Sequence, residues 1–154
     1  MQAKNDRVTL RSPWRWLVWT LGLVAFVTGA ASSLDPGAEL STILVTTALM
    51  GLPGLYLLLR CPFVRVVVDH VGVHYYGYVS QRHRLWSQIE ATRVVTAGGM
   101  IAESYVPSLV LTGRDDEEPL TALAGYTTDD RLEKSRMGRQ ERVIAKRLRL
   151  ARSL

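Results

Sequence analysis

The chain has 154 residues, with 19 Lys or Arg, 14 Asp or Glu and one cysteine. This length allows one or two small domains, and a single cysteine excludes an intrachain disulfide and a metal site built from several cysteines. The formal net charge of +5 is uneven, because residues 134–154 hold eight basic side chains and one acidic side chain.

Two long apolar segments, at about 14–34 and 40–60, dominate the first third of the chain. Their only charged residues are Arg15, near the start of the first segment, and Arg60, at the end of the second. At about 1.5 Å per residue, each segment is long enough to cross a hydrocarbon core of about 30 Å as a helix. The residues between them, 35–39, allow only a tight turn. The pattern predicts a transmembrane helical hairpin over residues 14–60.

The charges that flank the hairpin predict its orientation. Residues 1–13 form a polar N-terminal arm that we expect to be flexible or to lie on a surface. The turn at 35–39 carries two acids and no base. By the positive-inside rule, both termini then face the cytoplasm. Basic residues lie on both cytoplasmic flanks: Lys4, Arg7, Arg11 and Arg15 before the first helix, and Arg60 and Arg65 after the second.

A cleaved signal peptide is the competing interpretation of the first segment. It has a basic start, an apolar centre and small residues at 28–31 that suit a signal peptidase. Cleavage would leave a fragment whose second helix begins within a few residues, so the hairpin is the preferred interpretation. In either case, Arg60 and Arg65 favour a cytoplasmic C-terminal domain.

From residue 61 the pattern changes from helical to alternating, which predicts a domain of short strands over 61–154. Six or seven strands at meander spacing indicate an antiparallel sandwich or small barrel. The acidic tip 115–118 predicts a solvated hairpin end, and Gly98-Gly99 predicts a turn. The predicted strands are 64–68, 73–79, 82–86, 89–96, 107–112 and 119–124.

A basic helix is predicted at about 129–152. Cap-type residues at 127–130, with Glu133 at capping-box spacing, indicate its start, and Gly138 is expected to interrupt it. An apolar stripe, formed by Val143, Ile144, Leu148, Leu150 and Ala151, predicts that the helix caps the open end of the sheet. The other face, with Arg139, Arg142, Lys146 and Arg149, is either solvated or a contact for anionic headgroups or an acidic partner. Nucleic acid is not expected.

Two short motifs resemble those of bacterial PH-like domains. Residues 66–73 (VVVDHVGV) resemble the opening strand, turn and second strand of such domains. Residues 84–89 (RLWSQI) resemble a motif that recurs between the third and fourth strands of such domains. In that motif a basic residue, a hydrophobic residue and Trp are followed, three positions after Trp, by Ile. With the preceding hairpin, the order of elements is similar to a family of small bacterial membrane proteins of the low-molecular-weight antigen type.

That resemblance implies a PH-like antiparallel sandwich or barrel capped by the C-terminal helix, and an interaction domain. The resemblance also implies that Gly72, Trp86 and Ile89 have structural roles in that domain. The first hairpin of the domain has no cluster of closely spaced basic residues, which weighs against inositide binding.

The histidines and the single cysteine are considered as metal ligands and as a catalytic nucleophile. Three histidines, at 70, 74 and 83, lie near Asp69 in the sequence, but their spacing does not direct them to one metal ion. Cys61 lies at the membrane exit, and no nucleophile with an evident base is present. We therefore expect no metal, no cofactor and no catalytic residue, and a small-molecule substrate is not favoured.

The sequence thus predicts a non-enzymatic, multi-pass protein of the bacterial cytoplasmic membrane. Its PH-like domain is expected to bind a protein partner or anionic lipid headgroups. The alternative is an accessory subunit of a larger membrane complex, in which the hairpin makes the specific contacts.

Overall fold

The computed structural model describes residues 7–12, 14–97, 104–113, 117–127 and 131–153. The chain divides into two compact units: Pro13–Val64, and a second unit made of Met1–Ser12 together with Arg65–Leu154. Apart from a short strand at residues 8–10, the helix pair, the antiparallel sheets and the C-terminal helix follow one another in the order that the sequence predicts.

The helical hairpin is a pair of antiparallel segments with an irregular second half. Its helices are α1 (Arg15–Ser32), α2 (Leu40–Thr46) and α3 (Leu52–Arg60), and a π-helical turn, Thr47–Gly51, joins α2 to α3. The wider turn ends at Gly51, two residues before Pro53, which has no amide hydrogen to give to the helical ladder. A 3-10 turn, Cys61–Phe63, ends the hairpin.

Glycines let α1 approach the second half of the hairpin closely. A Cβ on Gly29 would lie 2.5 Å from the backbone nitrogen of Gly51, and a Cβ on Gly54 would overlap the backbone of Gly22 and Phe26. The outward faces are apolar and exposed. Two helices, Arg15–Ser32 and the continuous Leu40–Phe63, are long and apolar enough to cross a membrane by length and composition, with 11% of each 18-residue window buried.

The second unit contains two antiparallel sheets. Sheet A has the order β1 (Val8–Leu10), β2 (Arg65–Val68), β3 (Gly72–Tyr76) and β4 (Gln81–Leu85). In sheet B, β5 (Ile89–Ala97) pairs with β6 (Ser104–Leu111), which also pairs with β7 (Glu117–Pro119) and β8 (Gly125–Tyr126). The predicted Gly98-Gly99 turn lies outside the described residues.

Strand β1 comes from the segment that the sequence analysis placed in a separate polar arm. Val8, Thr9 and Leu10 pair with Val68, Val67 and Val66 of β2. This short run carries residues with high strand propensity, and it finds a valine-rich partner beyond the hairpin. The structure therefore inserts residues 13–64 between two neighbouring strands of one sheet.

The two sheets enclose an apolar core. Its fully buried side chains include Val66, Val68, Val73, Ile89, Leu109 and Ile144. The Tyr75 hydroxyl lies 2.6 Å from that of Thr121, linking sheet A to the segment after β7. The prediction of a strand over 119–124 is wrong, because Leu120, Ala122 and Leu123 are all buried and Thr121–Leu123 forms a 3-10 turn.

The C-terminal helix is α4 (Arg136–Arg152), shorter at its start than predicted. Ser135 is its N-cap, and its hydroxyl accepts a hydrogen bond from the Gly138 amide at 3.1 Å. Gly138 does not interrupt the helix. It lies inside the first turns, where a Cβ would overlap the carbonyl of Leu132. The predicted cap residues Thr128 to Asp130 lie outside the described residues.

Candidate interaction surfaces

One face of α4 is buried against the sheets. Ile144 and Leu148 are 0% and 5% exposed. The Thr92 hydroxyl of β5 donates a hydrogen bond to the Glu141 carboxylate, and Arg152 donates to the carbonyls of Ile89 and Glu90. These contacts fix both the rotation and the end of the helix. Leu150, which the sequence analysis placed in the apolar stripe, is instead 52% exposed.

The start of α4 is held by the segment that follows β1. Arg136 donates a hydrogen bond of 2.8 Å to the carbonyl oxygen of Arg11, and Gln140 donates to the same oxygen at 3.3 Å. Arg11 directly follows β1 and lies four residues before α1 begins. The first turns of α4 are therefore at the end of the domain from which the chain leaves for the hairpin.

The opposite face of α4 is basic and exposed, as the sequence predicts. Its four members recur at helical spacing, so their side chains share one face. Arg142 also donates a hydrogen bond of 2.7 Å to the carbonyl of Glu133. We name this set the α4 basic face: Arg139, Arg142, Lys146 and Arg149.

A groove of about 400 Å³ lies beside the first turns of α4. Arg142 of the basic face forms part of its wall, and Val94 of β5 supplies apolar surface. Its lining residues are Val94, Leu132, Glu133, Gly138, Glu141 and Arg142.

Glu118 joins the two sheets through two arginines. Its carboxylate accepts a hydrogen bond from Arg82 and one from the Arg84 Nε, both at 2.7 Å. The Glu118 side chain is 9% exposed, so the prediction that the whole tip 115–118 is solvated is wrong at this residue. Burial alone would raise the pKa of Glu118, but hydrogen bonds and positive charge from Arg84 and Arg82 outweigh it and lower the pKa.

The other members of that predicted tip have different surroundings. Glu117 lies 3.6 Å from the Arg93 guanidinium; the Arg93 side chain is 66% exposed and that of Glu117 is 32% exposed. Asp115 and Asp116 lie outside the described residues. Strand β7 therefore turns Glu118 towards sheet A, while its neighbour Glu117 remains at the surface.

The segment 84–89, which contains Trp86 and which we name the Trp86 step, packs into the core. Trp86 and Ile89 are 7% and 0% exposed, and the Trp86 indole nitrogen donates a hydrogen bond of 3.1 Å to the carbonyl of Asp69. Gly72 lies against Arg84 so closely that any Cβ would overlap the Arg84 carbonyl. Trp86 and Gly72 thus hold the β2–β3 turn against the end of β4, and Ile89 is buried at the start of β5.

Asp69 organises the turn between β2 and β3. Its carboxylate accepts hydrogen bonds from the amides of Val71 and Gly72 at 2.9 and 3.0 Å, and the His74 Nε2 lies 3.0 Å away. Burial opposes ionisation, but the two amide bonds and His74 outweigh it, so the pKa of Asp69 is lowered. The residues close a tight turn.

Two of the three histidines form a stacked pair, and the third lies apart from them. His74 stacks on His83 across the β3–β4 ladder with ring centroids 4.0 Å apart, and His70 is exposed in the preceding turn. Within the described part of the chain, no group of three or more His, Cys, Asp or Glu side chains could hold a metal ion. The Cys61 thiol is buried and donates a hydrogen bond to the Arg15 carbonyl.

Sequence reasoning missed the roles of Glu118 and Asp69. Glu118 lies in a run of four acids, and only the register of β7 distinguishes it from its neighbours. Asp69 carried a stronger signal, because an Asp two residues before the amide it binds is typical of an Asx turn.

Comparison with known proteins does not assign the chain to a family. No protein-family model matches it, and a search of curated proteins gives no significant match. The residues and contacts described above therefore carry the functional argument.

Proposed function

We propose that this chain is a multi-pass protein of the bacterial cytoplasmic membrane that presents a PH-like interaction domain to the cytoplasm. The hairpin is the anchor, and the domain binds a partner without catalysing a reaction or holding a cofactor. The observation that carries this proposal is the insertion of the hairpin between β1 and β2.

The surface of the hairpin supports a membrane location. A core helix of a globular protein buries most of its apolar side chains, whereas 11% of each candidate span is buried here. Leucines and valines all round the pair are exposed, including Leu21, Val24, Leu44 and Leu49. A bilayer is the environment in which such a surface is stable.

The insertion supports the orientation. Leu10 and Val66 are register partners, so the chain leaves and re-enters sheet A at the same end. Both ends of the hairpin must then emerge on the side of the membrane that holds the β domain. The basic flanks assign that side to the cytoplasm. The pairing also weighs against signal-peptide cleavage at 28–31, because cleavage would separate β1 from β2.

The topology supports a PH-like domain. A four-stranded sheet precedes a second antiparallel sheet, and one C-terminal helix packs on β5 and β6. The burial of Trp86 and Ile89 and the close approach of Gly72 to Arg84 support structural roles for these three residues.

The α4 basic face is the proposed binding surface, either for anionic headgroups or for an acidic protein partner. Each basic side chain close to an anionic bilayer contributes about 1 kcal/mol. The helix starts near Arg11, and Arg149 lies about 15 Å further along the axis than Arg139. Arg139 and Arg142 are therefore the members closest to the hairpin attachment, whereas Lys146 and Arg149 extend away from it.

The two ligands are separated with the full-length protein in bilayer discs. A fluorophore is attached at Ser153→Cys in a Cys61→Ala background, and a quencher is placed on the lipid headgroups. Headgroup binding predicts stronger quenching when anionic lipid replaces neutral lipid, and the doubly reversed variant Arg142→Glu, Lys146→Glu should lose the difference. Equal quenching in both bilayers would contradict the binding of anionic headgroups by the α4 basic face.

Binding of an acidic protein partner is tested in cells with a photo-crosslinking side chain in place of Lys146. A single crosslinked product that disappears in the Arg142→Glu, Arg149→Glu variant is expected. A control crosslinker at Glu90, an exposed residue that is not part of the α4 basic face, should not give that product. The same product from both positions would contradict a specific role for the α4 basic face.

A second candidate function is that of an accessory subunit of a larger membrane complex. The exposed apolar surface of the hairpin supports it, because helices associate within a bilayer by van der Waals packing and this surface is available for such packing. Extraction in mild detergent followed by native mass measurement tests this candidate. A stoichiometric assembly with other proteins supports it, and a lone chain with its lipid contradicts it.

A further inference from the structure

We propose that the β3–β4 turn, residues 77–80, inserts Val79 into the surface of the bilayer and so fixes the tilt of the β domain. This inference rests on the proposed membrane anchor and adds a second contact with the same membrane. It concerns a segment to which neither the PH-like motifs nor the α4 basic face assigns a role.

The exposure of Val79 is the first observation. Val79 is 91% exposed, the highest value among the large apolar side chains in the described ranges. Gly77 donates a backbone hydrogen bond of 2.9 Å to Ser80, which closes the turn and leaves Val79 at its tip. Turn positions favour Gly, Asn, Asp, Ser and Pro, and a branched apolar residue there adds nothing to turn formation.

The strand register is the second observation. Arg65 pairs with Tyr76, and Tyr76 pairs with Gln81, so the turn after Tyr76 lies at the end of sheet A where β2 begins. Leu10, the last residue of β1, pairs with Val66 at that same end. The turn therefore lies at the end through which the chain leaves for the hairpin and returns from it.

Chain length limits how far this end lies from the membrane. Helix α3 ends at Arg60 and β2 begins at Arg65. Five residues span at most about 17 Å when fully extended. The headgroup region extends about 5–8 Å beyond the hydrocarbon core on each side. This end of sheet A is thus held within reach of the lipid surface.

The chemistry of the turn suits an interfacial contact. Val79 supplies an apolar tip, and Tyr78 beside it is half-buried, with an aromatic ring of the kind enriched at membrane interfaces. Arg82 follows on the same hairpin with a side chain that is 48% exposed. An apolar tip beside an aromatic ring suits the boundary between acyl chains and headgroups, whereas the charge of Arg82 is already paired with Glu118.

Sheet A supplies a matched control at its other end. Val71, in the β2–β3 turn, is also an exposed valine, at 42%, and the register places it at the opposite end of the sheet. Insertion of the β3–β4 turn predicts lipid contact at position 79 and none at position 71.

The experiment uses the full-length Cys61→Ala protein in bilayer discs with an environment-sensitive fluorophore at Val79→Cys, Val71→Cys or Leu44→Cys. Lipids brominated near the top of the acyl chains act as quenchers. The label at 79 should lose fluorescence and shift to shorter wavelength, while the label at 71 should keep its fluorescence and wavelength. Leu44, in α2, is 62% exposed and reports the anchor itself.

The three labels separate the possible failures. Quenching at 44 with no quenching at 79 overturns the insertion and leaves the membrane anchor intact. Equal quenching at 79 and 71 also overturns it, because contact would not be confined to one end of the sheet. The absence of quenching at 44 overturns the proposed anchor, and the insertion with it.

Discussion

Leu10 lies opposite Val66 in the ladder between β1 and β2, although the whole helical hairpin separates these residues in sequence. The hairpin is therefore an insertion within the β domain, and both of its ends connect to one end of one sheet. The hairpin is thus joined to the β domain by two chain connections, one after β1 and one before β2.

The first prediction concerns β1. Deletion of residues 1–10 should leave the β2 edge unpaired, because Val8, Thr9 and Leu10 are its partners on that side. Each lost backbone hydrogen bond costs about 0.5–1.5 kcal/mol. We expect faster amide hydrogen exchange at Val66 to Val68, measured by mass spectrometry. Deletion of residues 1–6, which precede the strand, is the control. Unchanged exchange after the longer deletion would contradict the pairing.

The second prediction concerns the packing of the hairpin. Gly54→Ala should push α3 away from α1, because the added Cβ would overlap backbone atoms of Phe26, which cannot rotate aside. Gly37→Ala is the matched control, since the nearest atom to its Cβ is a side-chain oxygen 3.6 Å away. Heating in detergent with detection of aggregates should show a lower midpoint for Gly54→Ala alone. Equal midpoints for Gly54→Ala and Gly37→Ala would contradict the close packing of α1 against α3.

The third prediction is a pH dependence from Glu118. Its folded-state pKa is lowered, so its ionised form contributes stability that is complete above the unfolded pKa, near 4.5, and is lost as the pH falls through the folded value. Glu118→Gln should cost about 2 kcal/mol at pH 7, in the range for hydrogen bonds to charged groups. The difference from the unsubstituted protein, measured by denaturant unfolding, should shrink below about pH 4.5. A difference that is constant with pH would contradict the ion pair.

The fourth prediction concerns the Trp86 step. Trp86→Phe keeps an aromatic ring but removes the hydrogen bond to the Asp69 carbonyl, which should cost about 1 kcal/mol beyond the loss of volume. Gly72→Ala should be more damaging, because its Cβ would overlap the Arg84 carbonyl across the ladder. Denaturant unfolding should therefore rank Gly72→Ala below Trp86→Phe in stability. The reverse order would mean that the backbone there can separate at little cost.

The hairpin and α4 were predictable because each is determined by a long pattern within one stretch of the sequence. Apolar runs define the hairpin, and a basic face at helical spacing defines the accessible side of α4. Strand β1 was not predictable, since three residues are too short to show a period and their partner lies beyond the hairpin. Glu118 was hidden for a related reason. Its inward direction depends on the register of β7 against Leu109, which is a tertiary property.

The most direct measurement of the central claim is the accessibility of two cysteines to a membrane-impermeant maleimide. Ala38→Cys lies in the turn between α1 and α2, and Ser153→Cys follows α4, each in the Cys61→Ala background. A spanning hairpin with a cytoplasmic β domain predicts labelling of position 38 in intact cells, and of position 153 only after the membrane is opened. Labelling of position 153 in intact cells, or no labelling of position 38 until the membrane is opened, would contradict the account.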